Sequence, residues 1–410
     1  MQGFFSKDQL QTPSLSERRM LSCAACCLYK TAQTPKIKPY GNFRKEIMII
    51  GEAPGESENR VGKPWQGKMG MVLQRKYRQL GIDLFEDCVS LNAVNCYPVD
   101  RNGNGRTPTD HEIACCRQKV ISAIKQYQPR VIILHGGAAV TSVIGYKWKE
   151  GNLNVMAWRG WTIPDREFNA WICPTFHPSF VERQEEQNEA EVIWTRDLKQ
   201  AFKMVEIPLP DYPPEEECVE ISYDVERVLK ELNQDDTILA FDIETTGIKP
   251  YNTDKHRIVS IAFCNSEDKA YAIPFPSTEP QLKLLKNLLE NPRIGKIAAN
   301  MKYEDNWLNV LHGIQVTPWL FDTMLAAHIL DNRPNISGLK IQAFLRFGMP
   351  SYDDTVSPYL KAENANTPNS IEQLVRNEPM FRQLLLYNGY DALLTYRLAQ
   401  LQMKELGMIE

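Results

Sequence analysis

Three acidic clusters lie far apart in the second half of the sequence: Asp242 and Glu244 in AFDIETTG, Glu304 and Asp305 in NMKYEDNWL, and Asp391 in YNGYD. Asp242 and Glu244 stand two apart in an apolar run that reads as a strand, so their side chains leave the same face. Two carboxylates side by side in an apolar setting repel each other and lose hydration. A divalent cation between them removes that penalty, although a lone pair of this kind equally suits a strand end whose acids reach water. Tyr387 and Asp391 are four apart in a helical pattern and share a face, while Asn300, Glu304 and Asp305 open another helix. Carboxylates from three distant segments could therefore converge on two divalent ions roughly 3.5–4 Å apart, which activate a water and stabilise the leaving oxygen of a phosphodiester. The phenol of Tyr387 would orient that water.

The first half carries a different set of reactive groups. Six of the ten cysteines fall in two clusters, Cys23, Cys26, Cys27 and Cys96, Cys115, Cys116. With no secretory leader in view, clustering of this kind points to metal or cluster ligation rather than disulfides, and the spacing alone allows Zn²⁺ or an iron–sulfur cluster. In IMIIGEAPGESENRVGKPWQGKMG, residues 47–70, an apolar strand runs into a Gly/Pro-rich turn. Such polar strand ends are where open α/β sheets keep their sites. Asn92 in SLNAVNCYP and His177 in CPTFHPSF are further polar candidates. Taken singly, Trp65 suits a core position and His177 before Pro178 suits a turn.

The elements that must position these groups differ between the halves. EIMIIGEA, GMVLQRKYRQLGI, CVSLNAV, HEIACCRQKVISAIKQY and PRVIILHGG alternate strand-like and helix-like patterns, which predicts a parallel sheet covered by helices. EIPLPDYPPEEECVEIS, residues 206–222, combines four prolines with an acidic run and reads as an exposed linker. Beyond it TILAFDIETTG, HRIVSIAFCN and KAYAIPF read as strands, and QLKLLKNLLEN, EDNWLNVLHG, FDTMLAAHILD, SIEQLVRN and the final FRQLLLYN…KELG as helices. The polar, Pro-punctuated stretch near 348–370 reads as a loop. Domain limits are expected at 1–205 and 216–410.

Bulk properties narrow the classes. The net charge of −4 conceals 28 Lys+Arg against 21 Asp+Glu in residues 1–205 (+7), and 19 against 30 in 206–410 (−11). A basic half suits phosphate backbones; an acidic half suits them only where its carboxylates hold cations. No apolar run approaches the ~20 residues of a membrane span, and MQGFFSKDQLQTPSLSERRM lacks a signal pattern. The cytosol is expected, a host's cytosol if the gene is a phage's, with no membrane partner.

AFDIETTG, NMKYEDNWL, FDTMLAAHIL and YNGYDALLTYRL occur in the order and rough spacing of the proofreading exonuclease domain of family A DNA polymerases, and residues 216–410 resemble that domain. The resemblance implies a ribonuclease H-like α/β fold and 3′→5′ hydrolysis with two Mg²⁺ or Mn²⁺ ions. Asp242, Glu244, Glu304 and Asp391 would be ligands, Tyr387 a catalytic group, and Ile248 and Asn300 neighbours of the 3′-terminal nucleotide. The family usually has Asp where this chain has Glu304; counting from Asn300 favours Glu304 over Asp305, because Leu308 then also falls in register. Asp322 is expected to be a hydrogen-bonded structural acid.

Residues 20–205 resemble a family 4, iron–sulfur uracil-DNA glycosylase. The resemblance rests on CxxCxL from Cys23, GEAPGxxE, Asn92 ahead of Cys96, and the late His177-Pro178-Ser179. It implies a parallel-sheet α/β/α domain and a [4Fe–4S] cluster on Cys23, Cys26, Cys96 and Cys116, the last chosen because it directly precedes Arg117. Uracil would be flipped from the DNA. Asn92 would read its pairing edge, Trp65 (where the family usually has Phe) would stack on it, and His177 would donate to O2 of the leaving base. Glu52 would position water, with Gly51, Ala53, Pro54 and Gly55 forming the loop about the base. Ser179 and Arg183 would sit on a loop approaching the strand. Glu58-Asn59 in place of an acidic pair, and a longer DRNGNGRTP loop, depart from the family.

The expected whole is a bifunctional DNA-processing enzyme, acting on uracil-containing and 3′-terminated strands, as the front portion or an accessory of a phage-type polymerase. The chain ends 19 residues beyond Asp391, where such a polymerase would continue. Two alternatives are an exonuclease with a non-catalytic base-reading module, and a replisome assembly factor with both sites silent.

Overall fold

The computed structural model describes residues 21–148, 153–184, 189–251, 254–364 and 366–409. The N-terminal stretch read for a signal pattern lies outside the described residues. The chain divides into two compact units, residues 1–210 with 345–350, and residues 211–344 with 351–410. Among the described residues no helix is long and apolar enough to cross a membrane.

In the first unit β1 (Ile47–Gly51), β2 (Cys88–Asn92), β3 (Val131–His135), β4 (Ile163–Asp165) and β5 (Ala170–Thr175) form one sheet ordered β2-β1-β3-β5-β4. Its pairs are parallel except β4 with β5. Strands β1, β2, β3 and β5 are buried along their whole length, which is why they read as continuous apolar runs rather than alternating ones. Ile47, Ile49, Val131 and Ile133 pack against Leu73 and Tyr77 of the helix Lys68–Gln79 and Trp194 and Leu198 of the helix Glu189–Lys203. The chain leaves β1 for β2 on one side and crosses to β3 on the other. The carboxyl ends of β1 and β3 thus flank a switch point, where such sheets open a crevice.

The second unit has a six-stranded sheet ordered β11-β10-β7-β8-β9-β6. Its strands are β6 (Val219–Ile221), β7 (Thr237–Thr245), β8 (Ile258–Cys264), β9 (Ala270–Pro274), β10 (Ile294–Ala298) and β11 (Trp319–Asp322). Strands β7, β8 and β9 are antiparallel; β10, β11 and β6 add in parallel at the flanks. Period-two alternation sorts β7: Leu239, Phe241 and Ile243 enter a core with Leu285, Leu288, Trp307 and Leu308, whereas Ala240 joins Ala262, Ala272, Leu385 and Leu393 on the other side. Those small residues let the long helix Glu378–Glu405 lie close on the face that also carries Asp242 and Glu244. Within that helix Gly389 has a steric reason, since a Cβ there would meet Val219 Cγ1 of β6 at 2.3 Å.

Several elements differ from the sequence expectation. The segment 206–222, read as an exposed linker, is built into the second unit in its later half: Glu215–Cys218 is a short helix and Val219–Ile221 is β6. Apolar contacts of Cys218 and Val219, and an ion pair between buried Glu215 and Arg397 at 3.1 Å, outweigh the prolines and the like charges. Strand β10 was masked by Lys296, a fully buried residue whose ammonium donates to the carbonyls of Asn291 and Thr317 at 2.6 Å each. The 348–370 stretch contains a short helix, Ser357–Leu360, and sends side chains to the site below.

Candidate functional sites

In the second unit Asp242, Glu244 and Asp391 offer carboxylate oxygens that all lie within 4.8 Å of one another, and among the described residues this is the group suited to a metal ion. They line a cavity of about 350 Å³ together with Glu304, Tyr387, Asn300 and Ile248. Burial, followed by the charge of Asp391, pushes the Asp242 carboxyl well above its usual range; burial, then Asp242, does the same to Glu244. Glu304 is also held high by burial and by Asp242, and its Oε2 is buried without a hydrogen-bond partner. Glu304 stands outside the close trio. Mutually repelling buried carboxylates and one orphaned oxygen are the donor set that a divalent cation would satisfy.

Neighbouring side chains pin this cluster. Asn388 Nδ2 donates to Asp242 Oδ2 at 2.8 Å, while Asn388 Oδ1 accepts from Ser260 Oγ at 2.9 Å. The Tyr352 hydroxyl donates to Asp391 Oδ1, and the Tyr387 ring lies beside Tyr352 with centroids 5.8 Å apart. Lys340 sits 5.1 Å from the Tyr387 ring centroid and pairs with Asp353 at 2.6 Å. Its charge draws the carboxyls of Asp242, Glu244 and Asp391 down, against their burial. Asp322 Oδ1 accepts from the amides of Asn300, Met324 and Leu325, and its Oδ2 from Met301, so it is a structural acid capping two helix starts. Asp305 accepts from Trp319 Nε1 at 3.3 Å, away from the trio.

In the first unit a cavity of about 300 Å³ opens at the carboxyl ends of β1 and β2, lined by Ala53, Gly55, Glu58, Trp65, Asn92 and His177 among others. Gly51 is required by close approach, because a Cβ would lie 2.5 Å from Asn92 Oδ1 and 2.7 Å from Trp65 Cζ2. Asn92 ends β2 and its amide N–H donates to Asn95 Oδ1. Trp65 is both core and lining: it is 5 % exposed and its ring stacks on His177 with centroids 5.6 Å apart. Two aromatic contacts need about 7 Å, so a flat base fits beside this pair and not between its members. His177 Nδ1 accepts from Ser179 N at 3.2 Å and faces Ser179 Oγ at 2.8 Å. That leaves the other ring nitrogen to carry the proton, and burial holds the ring neutral down to about 3. Burial likewise raises the Glu52 carboxyl, opposed by Arg183.

Ala53 and Gly55 line the cavity, and Glu52 and Pro54 adjoin them in the chain. One expectation, the open loop at Ser179 to Arg183, needs correction. Ser179 lies in a short helix, Pro178–Glu182, and Arg183 caps it, so neither belongs to an open loop; Pro178 at the first helical position favours the turn of helix. Glu58, the apparent departure in GESEN, accepts from the amides of Gly55, Gln66 and Gly67 and so shapes the whole turn.

The cysteines also gather. Cys96 and Cys116 are buried in one small cluster with Leu28, against which Cys26 packs. Cys116 is within electrostatic reach of Cys23, Cys26 and Cys96, whereas Cys115 reaches Cys23 and Cys26. Lys36 N donates to Cys96 Sγ at 3.2 Å. Burial lifts the Cys116 thiol to about 12, and none of the ten cysteines is in a disulfide. These thiols share one neighbourhood, but among the described residues no three of them lie within the 4.8 Å that unites the carboxylate trio.

Residues 38–199 match the uracil DNA glycosylase superfamily and residues 217–406 the 3′-5′ exonuclease family of DNA polymerase A. A Type-4 uracil-DNA glycosylase of Thermotoga maritima is 31% identical over 201 residues, covering 49% of this chain and 97% of that protein. The chain belongs to the type-4 uracil-DNA glycosylase family. It joins that glycosylase-like domain to a 3′–5′ exonuclease domain. A DNA polymerase of Bacillus phage SP01 is 25% identical over 352 residues; the match covers 78% of this chain, more than either domain alone, but 36% of the polymerase. The solved Escherichia coli RNase D is 16% identical, with a TM-score of 0.34 over 48% of this chain and 46% of its own.

Sequence reasoning missed four groups at the exonuclease site: Asn388, Tyr352, Lys340 and Tyr303, whose hydroxyl donates to the Gly247 carbonyl at 3.1 Å. Asn388 was visible in YNGYD, one residue from Tyr387, yet nothing local says that it faces Asp242. Lys340 lies in the first turn of the helix Leu339–Phe347 and Tyr352 follows that helix, and nothing local says that either faces Asp391. In the glycosylase-like domain His135 was missed. It ends β3, with Nδ1 on the Phe176 carbonyl and Nε2 on the Tyr77 hydroxyl, both at 3.0 Å.

Proposed function

We propose that this chain is a bifunctional DNA-processing enzyme which excises uracil through its glycosylase-like domain and removes 3′-terminal nucleotides through its exonuclease domain. The observation that carries the second activity is the buried trio of Asp242, Glu244 and Asp391 with the orphaned Glu304 oxygen beside it. These four would hold two Mg²⁺ or Mn²⁺ ions, which when bound supply an activated water and stabilise the departing oxygen. Tyr387 orients the incoming water through its phenol. Asn300 and Ile248 flank the terminal nucleotide on the cavity wall.

In the other domain Asn92 reads the pairing edge of the flipped base and Trp65 presents its free side to the ring. The protonated nitrogen of neutral His177 donates to the base oxygen as negative charge develops there, a role that a preorganised donor fills best in a dry site. Glu52 positions water and stabilises the cationic sugar, and Ser179 fixes the tautomer of His177. Cys23, Cys26, Cys96 and Cys116 would hold a [4Fe–4S] cluster of structural use. The strand partners are uracil-containing and 3′-terminated DNA, in the cytosol that houses a phage-type polymerase domain or subunit.

The test is a 5′-labelled oligonucleotide bearing one uracil, incubated with and without Mg²⁺. Abasic sites without metal and a 3′ ladder only with metal support both activities. A ladder that persists in EDTA would sink the two-ion assignment. A second reading treats the glycosylase-like domain as a base reader that holds uracil without releasing it. Uracil release that disappears in Glu52→Ala and Asn92→Ala decides against that second reading.

A further inference from the structure

A cationic, aromatic strip runs beside the glycosylase cavity, on a segment that no motif above includes. Residues 28–40, LYKTAQTPKIKPY, contain Lys30, Lys36 and Lys38 and no acidic residue. Lys36 lies 5.2 Å, and Lys30 6.0 Å, from the Tyr29 ring centroid. Lys63 lies 4.3 Å from the Tyr40 ring centroid and donates to its hydroxyl at 3.2 Å. All four lysines are exposed. Among the described residues none of them has a carboxylate within ion-pair distance, whereas Arg44, Lys76, Arg106, Lys125 and Lys147 of this domain do.

The strip is fastened at both ends to machinery already described. Lys36 N bonds Cys96 Sγ and Tyr40 pairs through its backbone with Ser90 of β2. At its centre Thr34 N donates to Asn59 Oδ1, on the helix Glu56–Val61 whose first turn lines the cavity. Lys68, exposed and on the cavity wall, continues the row of cations to its mouth. The carboxylate of Glu58 is occupied by three backbone amides, which leaves Glu56 as the exposed acid of that helix.

We propose that this strip, Tyr29 to Tyr40 with Lys63, is the surface that carries the DNA backbone past the cavity, with phosphates on the four ammonium groups and the rings of Tyr29 and Tyr40 holding those of Lys30, Lys36 and Lys63 in place. Unpaired lysines on aromatic planes keep their charge available, whereas ion-paired ones would first have to exchange a carboxylate for a phosphate. The proposal gives the cysteine centre a use as well: through Cys96 and Lys36 it sets the position of the strip. It rests on the reading that the neighbouring cavity takes a base from DNA.

The experiment uses the full chain in EDTA and a fluorescent circular single strand, which has no 3′ terminus for the exonuclease site, with and without one uracil. Binding is followed by anisotropy across a salt series. Each phosphate contact contributes about 0.7 to the slope of log affinity against log salt on single strands. The Lys30→Gln, Lys36→Gln, Lys38→Gln, Lys63→Gln quadruple variant is expected to flatten that slope by about 2–3. A control variant, Lys119→Gln with Lys199→Gln, is expected to leave it alone. An unchanged slope in the quadruple variant, or an equal change in the control, overturns the proposal. Uracil release is scored separately on the same circles: its absence in the wild type counts against uracil excision and leaves the slope measurement standing.

Discussion

The two domains present DNA with sites of opposite electrostatic character. The exonuclease domain crowds Asp242, Glu244 and Asp391 within 4.8 Å of one another, each carboxyl held high by burial. The glycosylase-like cavity faces the base with neutral groups: burial holds the imidazoles of His177 and His135 uncharged down to about 3 and about 4, and the Glu58 carboxylate on its wall is taken up by three backbone amides. A cluster of like charges is incomplete without a counter-ion. A wall whose acid is already satisfied by amides needs none. Hydrolysing a phosphodiester requires charge to be placed on departing oxygens, which cations stabilise. Releasing a base requires donors aimed at one oxygen.

Mutations that split the two chemistries sharpen this contrast, beginning with the largest effect. Asp242→Ala removes a shared carboxylate, and 3′ digestion should fall by far more than the ~10–100-fold typical of groups that only orient a ligand; uracil release from the same preparation should be unchanged. A loss in both assays would break the comparison. Asn92→Ala should slow uracil release by about 10²–10³-fold, the cost of one preorganised hydrogen-bonding group, while the Mg²⁺-dependent ladder stays intact.

Asn388→Leu tests a subtler point, since its amide fixes one oxygen of Asp242 and leaves the other free. The Mg²⁺ concentration for half-maximal digestion should rise about 10–100-fold, and Mn²⁺ binding followed by magnetic resonance should weaken in parallel. Equal Mn²⁺ affinity in variant and parent would mean that the amide plays no part in ion binding.

The smallest effect is on pH. Burial raises the Glu52 carboxyl and Arg183 opposes that rise, so uracil release should fall as pH drops through the raised value and Glu52 becomes protonated. Arg183→Ala should move this acid limb to higher pH. A limb that stays put, or moves to lower pH, separates Glu52 from the acid-limb group. His177 should contribute nothing to the profile above about 3.

Legibility followed the reach of each interaction. The doublet Asp242 and Glu244, and the i,i+4 pair Tyr387 and Asp391, could be read because a strand repeats every two residues and a helix nearly every four. The strands of the first sheet were readable because both faces are covered and their apolar runs are unbroken. Strand β10 was not, since Lys296 hides a buried position behind a charged residue type that here satisfies itself on two carbonyls. Strand β6 was lost inside the proline and acid run of 206–222, whose helix is secured by Arg397, a residue 182 positions from Glu215.

By itself the sequence determined the inventory: which carboxylates, thiols, histidines and aromatic groups exist, and which of them share a face over one turn or one strand. Only the tertiary structure decided that Asn388 holds Asp242, and that Lys340 and Tyr352 reach the carboxylates from the far side of the loop and helix between residues 331 and 352. The helix Glu378–Glu405 and the strand β7 meet at one rotation, set by the alanines between them, and that rotation selects the atoms that touch. Local periodicity assigns side chains to faces, but the mate of each face is chosen by packing between segments more than a hundred residues apart.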